Sequence, residues 1–419
     1  MHGDRTALES DRGPTTYREL YRRASAAASA LQGRGISAGD RVAVALAGEE
    51  LVVALHGCML IGAVAVPIDL RLGASERAQR AAVAATTVQA PLRAGPRERS
   101  PGAPAREHKL DEIATIMHTS GTTAAARAVW LSYDNWLWNA LGSALALGLD
   151  PNERWLCPMP LAHVGGLSIA IRSAIYGTTV LLPDGFHAGA VVSALMDPGR
   201  RVTLVSLVPT MLARLLDAGL RDPPTLRWAL LGGGPIAPAL LERARTAGVS
   251  VAPSYGMTEA CSQIATNGWP LLGVELRIGE QDELLVRGPT VARSALALDR
   301  WLHTGDLGAL DQDGRLTITG RKADTIVTGG ENVAPAEVEA ALLEHPAVAD
   351  AGVFGRSDPD WGEAVVACVV LRSGIAADGE QLRTHCAERL ASFKVPKTIQ
   401  FTARLPRGET GKLLRRELR

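Results

Sequence analysis

The stretch TIMHTSGTTAAARAVWLSYDN (residues 115–135) begins as an apolar strand and runs straight into Ser120, Gly121, Thr122 and Thr123. A strand, then small and hydroxyl residues, then a helix is an arrangement in which backbone N–H groups and hydroxyls can wrap an anion. Such a turn alone is weak, because most Ser/Thr/Gly turns are only turns. The residues that follow sharpen the question. Ala124, Ala125, Ala126, Arg127 and Ala128 stand where a flexible glycine and a lysine would be expected. Alanine is the best helix former, so TAAARAVWLS can extend a helix at lower cost than a loop.

Outward from this stretch, strand-like and helix-like segments alternate. TYRELYRRASAAASALQGRG predicts an amphipathic helix ending at Gly33 or Gly35. DRVAVAL reads as a strand, LVVALHGCMLIG as a helix and AVAVPI as a strand. TTVLLP, VTLVSLVP and LRWALLGGG are short β-type runs separated by helical pieces such as VPTMLARLLDAG. The fold class that follows is α/β: a large N-terminal domain of mostly parallel sheets covered by helices, with ligands at the carboxyl ends of the strands. Residues 84–110, rich in Ala, Pro and Arg, read as a loop or degraded connection. After DGRLTITGRKADTIVTGG the pattern changes. Pro335 opens a helix carrying Val338, Ala341 and Leu342, EAVVACVVLR reads as a central strand, and residues 379–391 as another helix. A boundary near Gly320 gives an N-terminal domain of 1–320 and a small α+β C-terminal domain of 321–419.

Composition narrows the class. At 419 residues two or three domains are expected. Lys plus Arg equals Asp plus Glu at 44 each, which gives no sign of a nucleic-acid or anionic-membrane partner. Cys58, Cys157, Cys261, Cys368 and Cys386 are scattered and odd in number, as in reduced thiols of a cytoplasmic protein. The charged start MHGDRTALESDRG is no signal peptide. Residues 51–68 carry no Lys, Arg, Asp or Glu, but His56, Gly57, Gly62 and Pro67 make them a buried helix plus strand rather than a membrane span. A homo-oligomer is left open.

Further motifs carry chemistry. In SYGMTEACSQ, Tyr255 offers a ring to stack on a planar base, Gly256 a turn, Thr258 a hydroxyl for phosphate, and Glu259 an oxygen ligand for Mg²⁺. WLHTGDLG fixes Asp306 between turns, suited to bidentate bonding of ribose hydroxyls. GRKADTIVTGGENVAPAEVE holds Arg321 and the Gly329, Gly330 pair, where a narrow ligand can pass close to backbone. In PRGETGKLLRREL, Lys412 supplies an ammonium to neutralise charge on a transferring phosphoryl group. Each has a bland alternative: a strand-end turn, a loop aspartate, a surface lysine.

Together and in this order, TSGTT, YGMTE, HTGDLG, GRKADTI with GGENVAPAEVE, and TGK resemble the adenylate-forming superfamily of acyl-CoA synthetases, over about Tyr17 to Leu418. The resemblance implies a two-step ligase that converts a small carboxylic acid with ATP into an acyl-adenylate and then into a CoA thioester. It implies that Thr119, Ser120, Gly121, Thr122 and Thr123 cradle pyrophosphate, with Arg127 beside them, and that Gly232, Gly233, Gly234 and Tyr255 frame adenine. Glu259 would bind Mg²⁺, Asp306 and Arg321 the ribose, and Lys412 would bridge carboxylate and phosphate. The C-terminal domain would turn near Lys322–Asp324, withdrawing Lys412 and bringing Gly329 and Gly330 to the pantetheine channel.

CPMPLAHVGGLSIAIRSAIYGTTVLL and SYGMTEACSQIAT look like the 2-succinylbenzoate–CoA ligase group of menaquinone biosynthesis. That likeness implies that His163 lines the acid's pocket and that Arg172 receives the carboxylate that does not react. Arg172 as a helix-surface charge is the alternative.

The departure is the loop, which in the family continues Gly-x-Pro-Lys-Gly. Arg127 keeps the charge but not lysine's compact ammonium. Either Arg127 substitutes, or the enzyme is slow, or the chain binds without catalysing; a substitution made to lower surface entropy is a further reading. The shortened 84–110 segment would trim a surface subdomain and leave the site. Ligases for another aryl or aliphatic acid, or for a carrier-protein thiol, are the alternatives within the family.

Overall fold

A computed structural model describes residues 3–93, 106–119, 127–408 and 413–418. Its first helix, Tyr17–Gly33, starts where the Thr16 hydroxyl accepts from the Glu19 N–H. Leu20, Ala24, Ala27, Ala28 and Leu31 recur at helical spacing along its buried face. The charge-free run at 51–68 divides into helix Gly48–Ile61 and the fully buried strand Val64–Pro67. Among the described residues no helix is long and apolar enough to cross a membrane. All five cysteines are buried and unpaired.

Two helix-covered sheets form the large lobe. In the first, strands lie in the order Thr86–Val88, Arg41–Val44, Val64–Pro67, Ile113–His118 and Ala128–Ser132, parallel except for the last. Two segments differ from the sequence-based expectation. Thr86–Val88, inside the segment read as a loop, is an edge strand: its β-formers pair with Val42, Ala43 and Val44. Residues 94–105 of that segment lie outside the described residues. Ala128–Ser132 is a strand and not a helix extension. Pairing Met117 with Val129 and Thr115 with Leu131 buries two apolar side chains and satisfies the backbone, which outweighs alanine's helix propensity.

The second sheet has nine strands. Its parallel centre runs Val251–Met257, Trp228–Leu231, Leu204–Leu207, Arg154–Leu156, Thr179–Leu181 and Thr6–Ser10. A four-stranded antiparallel sheet, Glu275–Ile278 to Leu316–Arg321, completes the large lobe.

After the single turn Lys322–Asp324, the chain builds a separate sheet from Ile326–Thr328, Glu331–Val333, Val348–Asp358, Gly362–Leu371 and Thr398–Phe401. Gly362–Leu371 is central, as its unbroken apolar run predicts. Val338 and Leu342 of helix Pro335–Leu343 pack with Val353, Val365 and Leu382 into this lobe's own core. The helix expected over 379–391 is Gly379–Ala387. Beyond it the last turn tightens, the Arg389 N–H reaching the Cys386 carbonyl three residues back at 3.0 Å.

Candidate active site

Several candidate residues lie at the carboxyl ends of the second sheet's parallel strands, the end at which ligands bind in α/β sheets. Tyr255 lies near the end of Val251–Met257, and its hydroxyl donates to Asp306 Oδ2 at 2.8 Å. Arg321 Nε meets Asp306 Oδ1 at 2.7 Å. The two residues face each other because Asp306 and Arg321 are register partners in adjacent antiparallel strands. Asp306 is 5 % exposed. Burial, and after it the charge and hydrogen bond of Asp306, push the Tyr255 phenol well above its ordinary range, so it stays a donor. On the neighbouring strand Gly232 follows Leu231, and a Cβ there would lie 2.9 Å from the Ser254 carbonyl. Gly233 abuts Val208, and Gly234 lies near Pro209, at the end of Leu204–Leu207. The structure therefore brings Gly232, Gly233, Gly234, Tyr255, Asp306 and Arg321 into one neighbourhood.

Gly256 is required by a close approach: a Cβ there would stand 1.8 Å from the Ser262 carbonyl oxygen. That contact folds the chain back through the turn Thr258–Ala260, and Cys261 and Ser262 take left-handed backbone angles, φ 55 and 91. The turn is pinned by a 2.8 Å bond from the Ala292 N–H to the Glu259 carbonyl. The half-buried Glu259 carboxylate makes no hydrogen bond or ion pair among the described residues, which leaves its oxygens available. No cluster of three His, Cys, Asp or Glu that could hold a metal occurs among the described residues. A single free carboxylate suits Mg²⁺, which takes one or two carboxylates with water and phosphate oxygens.

Of the phosphate-loop candidates, Ser120, Gly121, Thr122 and Thr123 lie outside the described residues, as do Ala124, Ala125 and Ala126. The loop's base is described. The Thr119 N–H donates to the Arg127 carbonyl at 3.0 Å, and the Arg127 N–H to Thr119 Oγ1 at 3.2 Å. Arg127 is exposed. His118, just before it, is 7 % exposed and has no partner for Nδ1 among the described residues. Burial, and after it the charge of Arg80, push its pKa down to about 4, so it is neutral.

His163 precedes helix Val164–Tyr176 and reaches across to the other sheet. Its Nε2 lies 3.0 Å from Asp69 Oδ2, and Arg71 holds the same carboxylate through Nε at 2.9 and 3.2 Å. Burial alone would raise the Asp69 carboxyl, but the bonds from Arg71 and His163 outweigh it and hold it far below the usual range. Asp69 and Arg71 are absent from the sequence-based candidates. The available signal was their position just past the buried strand Val64–Pro67, at its carboxyl end.

Arg172 is 1 % exposed, deep between helices and not on a helix surface. Its Nε donates to Asn139 Oδ1 at 3.1 Å, Nη2 reaches the same oxygen, and its guanidinium carbon stands 5.7 Å from the centre of the Trp155 ring. Asn139 in turn donates to the Gln263 carbonyl at 3.2 Å. No carboxylate pairs with Arg172 among the described residues.

In the small lobe Gly329 and Gly330 form a two-residue hairpin turn with φ 59 and 84, the positive pair that such a turn demands. The Gly329 N–H donates to the Trp361 carbonyl at 2.8 Å, and Lys397 Nζ lies 4.4 Å above the Trp361 ring. Lys412 lies outside the described residues.

The model of the AMP-binding enzyme family matches residues 1–90 and 81–294, and that of the AMP-binding enzyme C-terminal domain matches 337–412. A 2-succinylbenzoate–CoA ligase from Bacillus licheniformis is 38 % identical, across 99 % of this chain and 96 % of the relative. Among solved structures, the o-succinylbenzoate CoA synthetase of Bacillus subtilis with its acyl-adenylate intermediate superposes with a TM-score of 0.89 at 35 % identity, covering 99 % of this chain and 95 % of the other. The same synthetase with ATP and magnesium ion gives 0.86 at 36 %, covering 99 % and 96 %. The chain belongs to the AMP-binding enzyme family.

Proposed function

We propose that this protein is an ATP- and Mg²⁺-dependent carboxylate–CoA ligase that works through an acyl-adenylate, with 2-succinylbenzoate as its acid. The observation that carries the reading is the Asp306 carboxylate, held between the Tyr255 hydroxyl and Arg321 beside the Gly232–Gly234 turn. Full-length likeness to 2-succinylbenzoate–CoA ligases supports the choice of acid.

In the first step a carboxylate oxygen attacks the α-phosphorus of ATP, the bond to the β-phosphate oxygen breaks, and pyrophosphate leaves. In the second a CoA thiolate attacks the acyl carbon and AMP leaves. We assign Asp306 and Arg321 to the ribose, and Tyr255 with Gly232, Gly233 and Gly234 to adenine. Thr119, Ser120, Gly121, Thr122, Thr123 and Arg127 go to the phosphates. Glu259, with Thr258 beside it, is the Mg²⁺ residue; the ion supplies neutralisation of phosphate charge. Lys412 bridges acid and phosphate in the first step, and Gly329 and Gly330 border the pantetheine in the second. The large lobe is taken as 1–320 and the mobile lobe as 321–419.

His163, fixed by Asp69, lines the acid pocket. Arg172 is assigned to the unreactive carboxylate, because a buried guanidinium without a carboxylate partner among the described residues is costly unless an anion meets it. Five unpaired thiols fit a cytoplasmic enzyme. The altered loop at 124–128 is the one feature favouring a slow or purely binding homologue.

The test is pyrophosphate release from 2-succinylbenzoate, ATP and Mg²⁺, before and after addition of CoA. Release that yields a CoA thioester is expected. Tight ATP binding without turnover of any acid in a broad panel would overturn the reading in favour of a non-catalytic protein.

A further inference from the structure

The turn between the lobes is gripped from both sides. On the large lobe, Lys322 Nζ lies 3.3 Å from Glu283 Oε2 in strand Glu283–Arg287. On the small lobe, Asp324 Oδ2 lies 3.0 Å from Arg415 Nη1. Arg415 is a hub. Its Nη2 reaches both Glu339 oxygens at 2.7 Å, and its Nε donates to the Val353 carbonyl at 3.2 Å. One guanidinium therefore uses all three nitrogens on three elements: the inter-lobe turn, helix Pro335–Leu343 and strand Val348–Asp358. A rigid planar fork can do this; a lysine ammonium cannot.

One of these partners, Glu339, is held by a further bond. Glu339 is 8 % exposed and also accepts from the Val353 N–H at 2.8 Å. The tail around Arg415 is fastened too. Leu413 forms a backbone bridge with Arg407 and packs with Phe354, Val366, Cys368 and Leu405. Arg407 in turn grips both oxygens of Asp350 at 2.7 and 2.8 Å. In sequence, Arg415 follows Lys412 by three positions.

We propose that Arg415 is a positioning residue for the first half-reaction. Its pair with Asp324 ties the tail that follows Lys412 to the far end of the inter-lobe turn. Tail, helix Pro335–Leu343 and Asp324 then move as one body, and rotation is confined to Lys322 and Ala323. Removing the guanidinium would deprive Glu339 and Asp324 of the cation they share and so release the turn from the helix. This inference rests on the proposed role of Lys412 in forming the adenylate. A tail held at the wrong angle harms that step and spares thioester formation, which does not use Lys412.

The experiment compares Asp324→Asn, Arg415→Gln and their combination, with Arg389→Gln, whose partner Glu344 is on the surface, as control. Asp324→Asn keeps the Arg415–Glu339 pair, so its melting temperature should be unchanged. Pyrophosphate release should fall about tenfold while thioester formation from supplied acyl-adenylate stays within about threefold. The double variant should be no slower than Arg415→Gln alone, because both act through one contact. Equal losses in both half-reactions, or additive losses, would overturn the proposal. A second measurement needs no turnover: spin labels at the exposed positions 221 and 372, one on each lobe, report the spread of inter-lobe distances. Asp324→Asn should broaden it, and an unchanged distribution would overturn the coupling. Failure of the unaltered protein to release pyrophosphate would count against the ligase reading instead.

Discussion

Tyr255 and Asp306 come from different sheets, yet the phenol of one donates to the carboxylate of the other at 2.8 Å. The bond aims one Asp306 oxygen while Arg321 holds the second. A carboxylate fixed in this way loses little freedom when it takes up a diol. Tyr255→Phe keeps the ring and removes the aim. It should cost about 1 kcal/mol, roughly a fivefold rise in KM for ATP, with KM for the acid unchanged. Steady-state kinetics with each substrate varied in turn checks this, and a rise confined to the acid would place Tyr255 elsewhere.

Lys412→Ala removes the only charge proposed to bridge acid and phosphate. Pyrophosphate release should fall on the order of 10²–10³-fold, and thioester formation from supplied acyl-adenylate should persist. Separate assays of the two half-reactions decide it; parallel loss of both would refute the assignment.

Arg172→Gln keeps a partner for Asn139 but deletes the buried cation. KM for the dicarboxylate should rise about tenfold, and that for a monocarboxylate analogue less than about threefold. An unaltered preference between the two acids, with a lower melting temperature, would leave Arg172 a packing residue against Trp155.

Replacing residues 124–128 by a Gly-x-Pro-Lys-Gly loop restores backbone freedom and a compact ammonium. If the native loop limits the first step, pyrophosphate release should quicken about tenfold, with KM for CoA unaffected. Equal rates would mean that Arg127 suffices.

His118 supplies a pH signature. Its folded pKa of about 4 lies below the ordinary 6.5, because burial and the nearby Arg80 disfavour the charged ring. The unfolded chain therefore takes up the proton first as pH falls. The contribution is complete above about pH 6.5 and is lost on descending toward pH 4. Melting temperature should drop by a few degrees across that window, and His118→Gln should flatten the slope. A slope identical in the variant would remove His118 as its source.

Much of this was legible in the chain. Gly48–Ile61 and Val64–Pro67 followed from one charge-free run broken by Gly62, and Pro335 opened its helix where expected. The errors were at places where neighbours override local preference. Ala128–Ser132 has helix-forming alanine at its start but a strand to pair with, and Thr86–Val88 sits in a Pro- and Arg-rich stretch yet finds a sheet edge.

The sequence by itself determined the alternation of strand and helix and the family, and it named the residues proposed to carry the chemistry, because periodicity and motif order are local properties of the chain. Only the tertiary structure decided the partners. It brought Asp69 to His163 across 94 positions, Asn139 to Arg172 across 33, and Asp324 to Arg415 across 91. Such pairs depend on how sheets and helices stack. A charge is stabilised by whatever the fold sets beside it, and no stretch of chain records that neighbour in advance.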